Sequence, residues 1–244
     1  YFPDWMLKKY SLFPLSQSLK EIHFPSHEGG LKQSINRLKF DEHFFLQLLM
    51  VLRKASFEET ASQPLGIKGD NVMSIYNNLD FSLTSAQKKV IKEICEDLNK
   101  STAMNRLLQG DVGSGKTVVA VLSSAVAVDS GVQCAIMAPT EILAVQHFDS
   151  FKKFSKKSPL SCELLIGKTP PKERTVILKK LKEKKIDVII GTHALIQKDV
   201  QFKSLGLVIV DEQHRFGVVQ RGDLISKGHN PHFLAMTATP IPRT

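Results

Sequence analysis

The chain has 244 residues, with 33 Lys and Arg against 24 Asp and Glu, a formal net charge of +9 and a hydrophobic fraction of 42%. That composition is enough to build a sizeable core and excludes a disordered chain. The length allows one large domain or a domain with an appendage. The longest apolar run, Val118 to Val128, is interrupted by Ser123 and Ser124 and is too short to span a bilayer, and Tyr1–Trp5 lacks the basic and apolar segments of a secretory signal.

Taken in chain order, residues 15–22 read as a short helix that Pro25 should stop. Leu31, Ile35, Leu38, Phe45, Leu48, Leu49 and Leu52 recur at helical spacing and predict one long amphipathic helix over 31–59, entered through Gly29-Gly30. Residues 61–80, rich in Gly, Asn and Asp, read as a linker with one helical turn. The division drawn from these patterns is a helical connector over 1–80 and a second domain over 81–244. In the latter, Thr84 can cap a helix whose inward face is Val90, Ile91, Ile94 and Leu98. Strand-like runs follow at 106–109, 133–137, 162–166, 187–190, 207–210 and 233–236, separated by helical stretches at 117–129, 140–155, 171–185 and 218–226. This alternation predicts an α/β fold, a parallel sheet with helices on both faces.

The positive charge is local. Residues 152–185 hold twelve basic side chains against three glutamates, so this segment accounts for the whole +9. On the helix near 171–185, Val176, Ile177, Leu178 and Leu181 should face inward, leaving Lys179, Lys180, Lys182, Lys184 and Lys185 on a solvated face that also complements the helix dipole. Lys168, Lys172 and Arg174 lie by the preceding loop and are the better candidates for phosphate contact. Cys95, Cys134 and Cys162 have neither metal-ligand nor redox spacing and read as buried, reduced thiols of a cytosolic protein. His23 and His214 have no second ligand at a useful spacing. Phe2, Trp5 and Tyr10 read as aromatics that dock the connector on a neighbouring domain, with base stacking as the alternative.

Gly110-Asp111-Val112-Gly113-Ser114-Gly115-Lys116-Thr117 fits a P-loop at every required position. Small residues let backbone N–H groups wrap a β-phosphate, and the following helix adds unsatisfied amides and its positive dipole end. Lys116 can reach the β- and γ-phosphates, and Thr117 can ligate Mg²⁺. The apolar run Leu207–Val210 ends in Asp211-Glu212. Asp211 at a strand end can hold Mg²⁺, and Glu212 can polarise an attacking water. An isolated glycine-rich turn or Asp-Glu pair would leave a bland structural reading open; together in one α/β pattern they point to ATP hydrolysis.

Further strings narrow the class. Asp211-Glu212-Gln213-His214 resembles motif II of superfamily 2 helicases, and Ala235-Met236-Thr237-Ala238-Thr239-Pro240 resembles their motif III. Phe81–Gln87 is similar to the adenine-recognition motif, Ala138–His147 to motif Ia, and Gly191–Gln197 to the next nucleic-acid motif. With His214-Arg215-Phe216-Gly217-Val218, Met236–Thr244, Ile22–Pro25 and Arg37–Glu42, they resemble the bacterial RecG family of branched-DNA helicases over nearly the whole chain. Asp80 departs from the proline that tends to precede the family's adenine motif.

The resemblance implies a connector followed by a P-loop NTPase, RecA-like motor lobe. It also implies that a second lobe with an arginine finger and a DNA-splitting wedge domain lie outside these residues. Such an enzyme uses ATP and Mg²⁺ to translocate on duplex DNA and remodel forks and junctions, in the cytoplasm at the nucleoid and without a membrane. The isolated segment would then bind ATP·Mg²⁺ weakly and turn over little. By the same resemblance Phe81 and Gln87 join Gly110–Thr117 around the nucleotide, and Gln213, His214, Thr237 and Thr239 couple that site to motif III. Thr140, Gln146, Lys168, Thr169, Thr192 and His193 fall in or near DNA-contacting loops. A transcription-repair coupling translocase lobe is the alternative enzyme, and a non-catalytic nucleotide- or DNA-binding module the alternative class.

Overall fold

The computed structural model describes residues 2–58, 61–66 and 69–238, which fall into two compact units, Tyr1–Glu59 and Thr60–Thr244. The first is helical: α1 (Asp4–Lys9), α2 (Leu15–His23) and α3 (Glu28–Glu58). The chain leaves α2 just ahead of Pro25, as the sequence predicts. α3 has the predicted length but not the predicted face. Among its described side chains the buried positions are Gly30, Ser34 and Arg37, one step from the Leu31, Ile35, Leu38 stripe, and α2 contributes the equally buried Ser18. Small residues let two helices approach closely, and that proximity sets the contact face.

Arg37 is 1% exposed yet well partnered. Its Nε donates to Asp41 at 2.7 Å, one Nη donates to the Phe13 carbonyl at 2.5 Å, and its guanidinium lies 4.8 Å from the Phe2 ring centroid. Phe2 packs against Phe40, Phe44 and Phe45, and Tyr10 against Phe40. Phe2 and Tyr10 thus make ring contacts within the unit, while Tyr10 and Trp5 stay exposed. Phe45, Leu48, Leu49 and Leu52, expected on the inward face, are also exposed.

The second unit begins earlier than residue 81. The segment read as a linker carries α4 (Asp70–Asn77), two turns long, and fully buries Leu65 and Ile75. The Leu65 amide donates to the Leu98 carbonyl at 2.6 Å. The Asp129 carboxylate accepts from the Asn71 side chain at 2.7 Å and from the Val72 amide at 3.0 Å. Residues 61–66 and 69–80 thus pack with the sheet rather than bridging to it.

The remaining elements are α5 (Ser85–Leu98), β1 (Asn105–Gln109), α6 (Lys116–Asp129), β2 (Gln133–Met137), α7 (Glu141–Phe154), β3 (Cys162–Leu165), α8 (Pro171–Lys182), β4 (Val188–Gly191), β5 (Leu205–Val210), α9 (Val218–Ile225) and β6 (His232–Thr237). Short 3₁₀ turns occupy His193–Ile196 and Gln213–Arg215. Each predicted strand is present, with ends within two residues of the predicted ones. Among the described residues the six strands form one sheet in the order β1-β6-β5-β2-β4-β3, every pair parallel.

Strand residues alternate between two cores. Cys134, Ile136, Leu207, Ile209, Leu234 and Met236 face α6 and α7, whereas Ala135, Met137, Val208, Val210, Phe233 and Ala235 face α8, the His193–Ile196 turn and α9. Helices on both faces explain why the strands read as continuous apolar runs. α6 is buried on all sides from Val118 to Ala127, the run too short for a membrane span. Among the described residues no helix is long and apolar enough to cross a membrane.

α8 ends at Lys182, and Lys184 turns left-handed at φ 58°. Its inward side chains are Ile177 and Leu181 with half-buried Leu178, while Val176, expected inside, is 51% exposed. Ile177, Leu178 and Leu181 lie on one arc of the helix, and Val176, about 160° around from Leu178, falls outside it. Cys134 and Cys162 are buried and free; burial pushes the Cys134 thiol up to about 12 and Cys162 higher still, so both stay protonated. Cys95 is only half-buried, against expectation.

Candidate functional site

A parallel sheet delivers its loops in register at the C-terminal ends of its strands, where ligands of such folds bind. Three loops meet at one half of that edge. β1 runs into Gly110–Gly115, β5 into Asp211-Glu212, and β6, which lies between them, ends at Thr237. The Gly110 amide donates to the Thr237 carbonyl at 3.3 Å, joining the glycine loop to the end of β6.

Gly113 and Gly115 have φ of 82° and 83°, the left-handed region in which a side chain is strained. This geometry turns the chain directly into α6, whose first residue is Lys116. Lys116 Nζ donates to the Gly110 carbonyl at 2.7 Å and the Asp111 carbonyl at 2.9 Å, folding over its own loop. An incoming phosphate can replace these neutral acceptors with charged ones, which bind an ammonium more strongly. Val112, at the loop tip, is 89% exposed.

Gln87 reaches the same loop. Thr84 and Gln87 form a reciprocal capping box at the start of α5: the Gln87 amide donates to the Thr84 hydroxyl at 3.2 Å and the Thr84 amide to Gln87 Oε1 at 2.9 Å. Gln87 Nε2 then donates to the Ser114 carbonyl at 2.9 Å, so one side chain both starts a helix and braces the glycine loop. Phe81 is half-exposed and meets Phe154 edge-on, with centroids 6.0 Å apart. Asp80, the departure from the expected proline, lies 3.5 Å from Lys153 in an exposed pair that contributes little.

Asp211 is 7% exposed. Its amide donates to the Met137 carbonyl at 2.9 Å, and its Oδ1 accepts from the Glu212 amide at 2.9 Å. Its Oδ2 lies 2.7 Å from Nε2 of His147, the last residue of the string that resembles motif Ia and one for which the sequence alone predicts no role. The only signal for it was its place at the end of that string. Glu212 takes a left-handed conformation, φ 48°, and its carboxylate sits 3.3 Å from His214 Nδ1. Gln213 and His214 form the 3₁₀ turn beside β6, with His214 largely exposed. Thr239 lies outside the described residues.

The predicted ligands for Mg²⁺, a threonine hydroxyl and a carboxylate, are hard oxygen donors of the kind that cation takes. Among the described residues no cluster of three His, Cys, Asp or Glu could hold a metal on its own. Thr117 and Asp211 therefore fit a cation shared with phosphate and water, not a cage made entirely of protein.

The residues expected to meet DNA gather at the other half of the sheet edge, after β2, β3 and β4. Thr140 caps α7, its hydroxyl accepting from the Leu143 amide at 3.3 Å, and Gln146 is exposed on the same helix. The Thr169 hydroxyl accepts from the Ile166 amide at 3.0 Å. Lys168 is 85% exposed and lies 3.1 Å from Glu141; Lys172 and His193 are exposed. Two candidates stand apart. Thr192 is 4% exposed, and Arg174 spends its guanidinium on Asp199 at 2.9 Å and Gln197 at 2.6 Å.

A parallel sheet flanked on both faces, with a glycine loop opening α6 and an acidic pair closing β5, is a RecA-like helicase fold. The pattern of the DEAD/DEAH box helicase family matches residues 84–244, and the chain belongs to that family. Along nearly its whole length it is similar to proteins named ATP-dependent DNA helicase RecG. It is 44% identical to that of Aquifex aeolicus, with 100% of the chain and 32% of the relative covered. For that of Synechocystis the identity is 46%, with 99% and 29% covered, and for that of Bacillus subtilis 46%, with 99% and 36%. A solved structure of RecG bound to a three-way DNA junction superposes with a TM-score of 0.84 at 43% identity, covering 99% of this chain and 32% of that one. The chain thus spans about a third of the length of these relatives.

Proposed function

We propose that this chain is the nucleotide-binding motor lobe of a RecG-type, ATP-dependent DNA helicase that remodels branched DNA such as stalled forks and junctions, acting in the cytoplasm on the nucleoid. The observation that carries the reading is the meeting of Lys116, Asp211-Glu212 and Thr237 at the ends of three adjacent parallel strands. Similarity to the RecG helicases favours this reading over a transcription-repair translocase lobe or a passive module.

In this reading the amides of Gly113–Thr117 and the Lys116 ammonium hold the β- and γ-phosphates at the N-terminus of α6, where the helix dipole favours negative charge. Phe81 and Gln87 flank the nucleotide. Thr117 and Asp211 would hold Mg²⁺, which when bound would offset the charge of the phosphates. Glu212 orients a water and takes up its proton. His214 and Gln213 lie between this acid and Thr237, so the state of the nucleotide can be felt at β6. Gln146, Lys168, Lys172 and His193 meet the DNA backbone, with Thr140 and Thr169 beside them. Contacts of this kind position a strand without reading its bases.

Binding of a fluorescent ATP analogue to the chain, measured with Mg²⁺ by anisotropy, tests the nucleotide site. Lys116→Ala is expected to weaken binding at least about tenfold, the cost of one charge-assisted contact. Glu212→Gln is expected to bind like the wild type. Wild-type affinity in Lys116→Ala would overturn the assignment.

A further inference from the structure

Asp211 is fixed from three sides. The end of β2 holds its backbone through Met137, the next residue's amide holds Oδ1, and His147 holds Oδ2. The first two contacts are short-range or between neighbouring strands. The third is a side-chain contact across 64 residues, between groups only 11% and 10% exposed. A carboxylate only accepts, so Nε2–H of His147 is the donor. His147 lies two turns into α7, the helix that Thr140 caps.

We infer that His147 is a positioning residue for the divalent-cation site: its Nε2–H···Oδ2 bond sets the rotation of the Asp211 carboxylate and makes α7 a support of that site. This deepens the nucleotide reading above and rests on it. With Oδ1 and Oδ2 each engaged once, the remaining lone pairs of both oxygens point in fixed directions and can take a cation or its water. Without His147, the carboxylate is free to turn about its side-chain torsions, and that freedom must be lost again on binding. Partners that orient a metal-holding carboxylate in this way typically contribute 10- to 100-fold in metal affinity. The same bond joins the two halves of the sheet edge, because His147 belongs to an element whose N-terminus lies among the expected DNA contacts.

The test uses the 244-residue chain with a non-hydrolysable ATP analogue and Mn²⁺, counting free Mn²⁺ by electron paramagnetic resonance. Two variants of similar size separate the donor from the volume it fills: His147→Gln places an N–H near the position of Nε2, and His147→Met does not. The expected result is Mn²⁺ affinity within about threefold of wild type for His147→Gln and about tenfold or more weaker for His147→Met. Equal Mn²⁺ affinity in the two variants overturns the proposal, whether both match the wild type or both fall. Analogue binding without metal, measured on wild type and Lys116→Ala, reports on the P-loop separately. If Lys116→Ala loses nothing there, the nucleotide reading fails, while a Gln-versus-Met difference in Mn²⁺ affinity still upholds the role of His147.

Discussion

Gln133 is fully buried at the start of β2 and uses all four of its side-chain hydrogen-bonding positions. Its Nε2 donates to the Leu181 carbonyl at 2.9 Å and the Ile186 carbonyl at 2.8 Å, while Oε1 accepts from the Lys203 amide at 2.9 Å and the Ser204 amide at 3.0 Å. One amide thus ties the end of α8 and the entry to β4 to the segment that leads into β5. Gln133→Leu keeps the volume but strands backbone groups on both sides, each costing about 1–3 kcal/mol when buried without a partner. The expected loss of stability is at least about 3 kcal/mol in urea unfolding; a loss below 1 kcal/mol would sink the account. His232 is the titrating counterpart. Its Nδ1 accepts from the Met104 amide at 3.0 Å, so its Nε2–H donates to the Gln63 carbonyl at 2.9 Å, and burial holds its pKa below the usual 6.5. Above pH 6.5 the ring is neutral in both states and its stabilising contribution is complete. As the pH falls below that value, the unfolded chain takes a proton that the folded chain refuses. Stability then declines by up to about 1.4 kcal/mol per pH unit until the folded pKa is reached. His232→Gln is expected to flatten this part of the melting-temperature profile between pH 8 and 5; an unchanged slope would count against it.

At the scale of elements, the helix that opens with Thr84 shows how a local signal becomes part of a site. The capping box is written in the sequence as Thr84 followed three residues later by Gln87, and the structure forms both of its bonds. Thr84→Ala is expected to cost about 1 kcal/mol, a fall of about 2–4 °C in Tm for a unit of this size. Gln87→Ala should lower analogue affinity as well, since it also removes the brace on Ser114. Equal analogue affinities in the two variants would separate Gln87 from the nucleotide site. Elements whose faces are set by the sheet are legible from apolar runs and spacing: the six strands, the inward face of α5, and the helix over 117–129. Contacts set by close approach are not. The face of α3 is chosen by Gly30 and Ser34, residues that an apolar stripe ignores, and residues 61–66 and 69–80 look like a linker because long-range polar contacts help to anchor them: the Asn71 side chain and the Val72 amide donate to Asp129, the Ser62 hydroxyl donates to the Asn230 carbonyl, and Asn230 Nδ2 donates to the Ala61 carbonyl. Lys116, Asp211 and Glu212 could be read because their motifs are local in sequence. His147 could not be given a role, because its partner is 64 residues away and no spacing rule connects them.

For the whole molecule, the sheet order divides the work. β1, β6 and β5 carry the phosphate and cation residues, whereas β2, β4 and β3 carry the expected DNA contacts, along one continuous edge. The basic surplus does not follow this division. Lys179, Lys180, Lys182, Lys184 and Lys185 are exposed along α8 and the turn after it, and three are engaged within the chain: Lys180 with Glu163 at 3.7 Å, Lys184 with the Gly131 carbonyl at 2.6 Å and Lys185 with Glu183 at 2.7 Å. Lys168 instead sits in the loop after β3, 85% exposed and paired at the surface with Glu141, a contact that contributes little. Each phosphate contact releases a condensed counterion and steepens the fall of affinity with salt by about one unit of log–log slope. Lys168→Ala is therefore expected to lower that slope by about one unit in anisotropy titrations against a three-way junction. Lys182→Ala, on the outer face of α8, should leave the slope unchanged. The reverse outcome, a loss at Lys182 and none at Lys168, would move the DNA path off the strand-end loops and onto α8.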